Sequence, residues 1–102
     1  MKFDDLEIIL PKNCITHDEI ICEKLIYLST FNKSIALNLN QFMSVYKAAH
    51  YIRYRFVPCV SDSLLMAGYY GNICGMKIYT NKAIGDNEYL SEEEWEKLKI
   101  LV

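Results

Sequence analysis

The same four-residue signature stands near both ends of the chain, and it fixes where two helices must begin. Thr16 is followed three residues later by Glu19, and Ser91 by Glu94. In such a capping box each side chain bonds the other residue's free backbone N–H. Ile15 with Ile20, and Leu90 with Trp95, stand where a hydrophobic staple would clamp each start. The first helix is predicted from about His17 to Ser29, with Ile21, Leu25 and Leu28 buried. The last begins beside Glu92, Glu93 and Glu94, where the helix dipole favours negative charge, and carries Lys97 and Lys99 at its far end.

Between these helices the periodicity changes. Leu6 to Leu10 reads as a buried strand stopped by Pro11. Ile35, Leu37 and Leu39 alternate on one side of a second strand. Asn40 is the expected N-cap of a helix whose inward stripe is Phe42, Val45, Ala49, Ile52 and Phe56. Pro58 forces that helix to end near Arg55, and 56–60 to run extended. Asp62 or Ser63 caps a short helical turn ended by Gly68. Tyr69–Cys74 and Met76–Thr80 read as strands, with Gly71 and Gly75 at turns, a bulge or a close backbone approach. The expectation is α+β: a single domain over 1–102, with a mixed sheet of four to five strands covered by two main helices and a C-terminal helix.

Composition narrows the function. The chain has 102 residues, 52% of them apolar and 24% charged, and only six Gly or Pro. These values suit one folded domain and exclude a collagen or a low-complexity linker. The uncharged stretch Ser34–Tyr46 contains five polar residues and does not read as a membrane span. The N-terminus turns acidic at Asp4 and Asp5, unlike a signal peptide, so a cytoplasmic protein without membrane contact is expected.

The cysteines at 14, 22, 59 and 74 are expected to be reduced and packed. Cys14-x-x-His17 with Cys22, completed by Cys59, Cys74 or His50, is the nearest approach to a zinc pattern. It lacks the paired ligands of structural zinc motifs, and no metal or other cofactor is expected. His17 and His50 have no nucleophile elbow near them, and the 68–75 glycines precede a strand where a dinucleotide loop needs a helix. No catalytic residue is assigned, and the chain is read as a non-enzyme.

Charge distribution speaks to partners instead. Residues 1–34 carry six acids against four lysines, 35–83 five bases against Asp62, and 84–102 six acids against two lysines. The middle is therefore +4, and the ends −2 and −4. Lys47, Tyr51, Arg53, Tyr54 and Arg55, within the basic-aromatic stretch 46–56, interleave cations with rings, as nucleic-acid surfaces do. The same tyrosines also suit a core edge, and the arginines suit pairing with the acidic ends.

Val57-Pro58-Cys59-Val60-Ser61-Asp62-Ser63-Leu64-Leu65, then Gly68-Tyr69-Tyr70-Gly71-Asn72-Ile73-Cys74-Gly75-Met76-Lys77-Ile78-Tyr79-Thr80-Asn81, resembles a segment of a known family. It is similar to a stretch near the C-terminus of the major capsid proteins of tailed bacteriophages, in the domain around the capsomer axis. Whole subunits of that family add a long spine helix and an extended loop. The resemblance over 57–83 therefore implies one domain, a small relative or an accessory virion protein. The primary expectation is a structural protein acting through subunit contacts, with Lys47, Tyr51, Arg53, Tyr54 and Arg55 meeting Glu92, Glu93 and Trp95 of another copy. A small cytoplasmic nucleic-acid-binding regulator is the alternative.

Overall fold

The computed structural model describes residues 1–52 and 55–101, with the side chains of 99–101 outside the description. Among these residues β1 (Ser34–Leu37), β2 (Phe56–Pro58), β3 (Tyr69–Ile73), β4 (Met76–Thr80) and β5 (Tyr89–Leu90) form one sheet. Its spatial order is β2-β3-β4-β1-β5. β1 runs parallel to β4, and every other pair is antiparallel. The helices are α1 (His17–Leu28), α2 (Leu39–Lys47), α3 (Ala49–Ile52), α4 (Asp62–Met66) and α5 (Glu92–Leu101). The fold is α+β with a mixed five-stranded sheet.

All four residues of β1 are buried, because the strand has protein on both faces. Ile35 and Leu37 project into the main core with Ile78, while Ala36 points the other way, toward Ile84 and Trp95. The predicted alternation ends earlier than expected. Leu39 opens α2 with its side chain exposed, because Asn38, not Asn40, is the N-cap. The Asn38 carboxamide oxygen accepts from the Asn40 N–H at 2.6 Å, and its amide donates to the Ile84 carbonyl at 3.1 Å.

The main core lies between the sheet and α1, α2 and α3. Ile21, Cys22, Leu25 and Leu28 descend from α1 onto Phe42, Val45, Ala48 and Ile52. Phe42 meets Tyr46, Phe56 and Tyr70 edge-on, with ring centres 5.3–5.7 Å apart. The Thr16–Glu19 box is complete: Thr16 Oγ1 accepts from the Glu19 N–H at 3.2 Å, and Glu19 Oε1 from the Thr16 N–H at 2.9 Å. Its staple is not, since Ile15 is 81% exposed. The single helix expected to Arg55 is broken at Ala48, whose ψ of 32° leaves the helical region. The break shifts the phase, so Ala48 is buried and the expected Ala49 is exposed.

The opposite face is thin. Ala36, Ile84 and Trp95 form its buried cluster, edged by Tyr79, Leu90 and Leu98. Trp95, expected on an outward surface, is only 9% exposed and stacks at 5.4 Å on Tyr79. Here the staple expectation for Leu90 and Trp95 agrees with the packing. Lys99 and the apolar residues Ile100, Leu101 and Val102 lie outside the described side chains.

Three further expectations are corrected. Leu6–Leu10 pairs with no described strand, and Ile9 is 99% exposed. Ser61 caps α4 in place of Asp62 or Ser63. Cys74 is exposed at the tip of the β3–β4 hairpin, so only Cys22 among the cysteines is fully packed. Cys74 and Gly75 have φ of +51° and +84°, the signs a tight two-residue hairpin turn demands. Gly71 serves close approach, because a Cβ there would lie 2.5 Å from the Val57 carbonyl oxygen.

Candidate interaction surface

The helix break decides what the basic-aromatic stretch presents. Lys47 and Arg55 are exposed, while Tyr51 is half-buried against α1, and Arg53 and Tyr54 lie outside the described residues. The Tyr51 hydroxyl donates to Glu23 Oε1 at 2.5 Å. Burial raises the Tyr51 pKa, and the Glu23 carboxylate raises it further. Burial also raises the Cys14 thiol against a lowering hydrogen bond to Tyr51, so that thiol stays protonated at neutral pH. His50 Nε2 lies 4.0 Å from Glu19 Oε2. Backbone donation from Thr16, opposed by desolvation, holds the Glu19 carboxyl below its ordinary value. The acids of α1 therefore meet the basic-aromatic region within one chain. Tyr51 is spent on Glu23 rather than offered as a stacking platform.

The residues of the zinc pattern do not share one environment. Cys22 is buried in the main core and His17 is exposed. Among the described residues no three His, Cys, Asp or Glu side chains converge as metal ligands. No helix is long and apolar enough to cross a membrane, again among the described residues.

The acidic helix is also partly committed. The Glu92 N–H donates to Asn32 Oδ1 at 3.0 Å, and Glu92 Oε1 accepts from the Lys33 N–H at 3.2 Å. Glu92 thus ties α5 to the turn after α1. Glu93 faces solvent with Lys97, their charges 3.4 Å apart, an exposed pair of small energetic weight.

Sequence reasoning missed a partly exposed apolar strip. Leu39, Met43 and Tyr46 recur at i, i+4 and i+7 on α2, on the side turned away from Val45. Across a cleft of about 380 Å³ from Leu39 lies Met66, 90% exposed at the end of α4. Lys82 lines the same cleft, and Lys47 ends the helix, so the apolar strip is flanked by cations. The signal was present in the sequence as a second apolar stripe on α2, beside the one assigned to the core. No protein-family model, curated protein or solved structure matches this chain.

Proposed function

We propose that this protein is a non-enzymatic assembly module that works through subunit contacts. The observation that supports the reading is the solvent-facing strip Leu39, Met43 and Tyr46, with Met66 across the cleft and Lys47 and Lys82 at its flanks. An apolar centre with a charged rim is the usual build of a protein interface. The +4 middle of the sequence and the −4 final segment make the exposed acidic side of α5, with Glu93 and Glu96, the complementary surface of a second copy. An accessory shell protein of a tailed phage is the particular form that the 57–83 resemblance adds.

Light scattering at low and high salt tests the reading. Association with a salt-sensitive part, that part being lost in Leu39→Asp plus Met43→Asp with an unchanged circular dichroism spectrum, is the expected result. A strict monomer at every salt and concentration overturns self-assembly. Salt-sensitive binding of labelled DNA or RNA by that monomer would move the assignment to the nucleic-acid alternative through Lys47 and Arg55.

A further inference from the structure

Leu6-Glu7-Ile8-Ile9-Leu10 has the composition of a buried strand, yet it lies unpaired on the surface. Leu6 packs against the main core, and Ile8 lines a groove with Ile26 and Tyr27 of α1. Glu7 and Ile9 border the same groove but are exposed, so Leu6 to Ile9 alternate half-buried and exposed as a strand does, and Leu10 is exposed beyond them. The backbone N–H and C=O groups of residues 7–10 meet no hydrogen-bond partner among the described residues. A strand-forming segment with a free ladder is a template for another strand.

We infer that Leu6–Leu10 pairs antiparallel with the same segment of a second copy, about a two-fold axis through Ile8. The sequence favours that register over a centre on Glu7 or a shift by one. Centred on Glu7, the pairing would set two carboxylates opposite each other. Centred on Ile8, it sets Leu6 opposite Leu10 and Glu7 opposite Ile9, and brings Lys12 level with Asp4 of the other copy. A shift to an odd register would put Ile9 on the face that Ile8 occupies against α1. Pro11 ends the ribbon where its missing N–H does no harm. The contact is isologous, so every favourable pair occurs twice. It rests on the assembly reading but uses a surface remote in sequence from α2 and α5.

The test is dimerisation by sedimentation equilibrium in high salt, where the contact between Lys-flanked α2 and acidic α5 is screened. The wild type is expected to dimerise there, and Ile9→Glu to weaken the dimer by about tenfold or more, by removing two apolar side chains from the ribbon and setting a carboxylate opposite each Glu7. Ile9 has almost no buried surface, so the variant folds, as an unchanged thermal midpoint would verify. Leu39→Asp plus Met43→Asp should leave this dimer intact, which separates failure here from failure of the α2 contact. Ile8→Cys should form a disulfide-linked dimer under oxidant beyond the wild-type level, reporting the two-fold register. A monomeric wild type in high salt, an undiminished dimer in Ile9→Glu, or no added cross-linking in Ile8→Cys overturns the inference.

Discussion

The two faces of the sheet are built to different depths. On one, α1, α2 and α3 press Phe42, Ile21, Leu25 and Ile52 onto Ile35, Leu37, Ile73 and Ile78, all at most 1% exposed. On the other, a single helix lays Trp95 over Ala36 and Ile84. β1 shows why the difference is tolerable: two branched aliphatic residues point into the deep face and one methyl into the shallow face. The deep face carries the hydrophobic stabilisation, and the shallow face depends on one ring.

Substitutions can break that contrast. Phe42→Ala should have the largest effect, about 4 kcal/mol by urea denaturation, because three rings would lose their common partner. Trp95→Ala should cost about 3 kcal/mol, since α5 can settle toward the small Ala36. An equal or larger loss for Trp95→Ala would refute the ranking of the faces. Ala36→Leu sharpens the same point by overpacking the shallow side, at about 2 kcal/mol and with Trp95 fluorescence shifted toward that of an exposed indole.

Smaller effects separate the two caps. Thr16→Ala should remove about 1 kcal/mol, because its hydroxyl oxygen accepts from the Glu19 N–H at 3.2 Å. Ser91→Ala should cost about half of that, since its oxygen lies 3.5 Å from the Glu94 N–H. Thermal midpoints of the two variants check the order.

The last effect vanishes at neutral pH. Burial pushes the Cys22 thiol from 9.0 up to about 12. Between those values the folded chain holds a proton that the unfolded chain has released, so stability falls as pH rises through this window. The raised phenols of Tyr51 and Tyr89 act with the same sign in stronger alkali. Urea midpoints measured against pH should fall less steeply in Cys22→Ala than in the wild type.

What the sequence made legible was local. The capping boxes, the β3–β4 hairpin and the Ile35/Leu37 alternation announce themselves in a few adjacent residues. The break at Ala48 does not, because nothing in Lys47-Ala48-Ala49 disfavours a helix; tertiary packing turns Tyr51 toward Glu23. β5 has only two residues and draws its identity from β1. Leu6–Leu10 misleads for the opposite reason: its pattern is that of a strand, but whether it is buried depends on a neighbour that its composition cannot name. The charges of the proposed interaction surface were legible. Its apolar centre was hidden, because Phe42 and Val45 claimed α2 for the core and drew attention from Leu39, Met43 and Tyr46.

The parallel pairing of β1 has a consequence for how the chain acquires its shape. Ser34 meets Lys77, 43 residues later, and Ala36 meets Leu90 later still. As the polypeptide leaves the ribosome, α1, β1 and α2 emerge in order, yet the strand at the heart of the sheet has neither flank available. The β3–β4 hairpin can close early, because its ends are adjacent. Docking it onto β1 must wait for a long loop to close, and such non-local pairing slows folding. Synthesis stalled before Met76 would therefore leave Ile35 and Leu37 on a strand with both edges bare, which is the state from which a nascent chain aggregates.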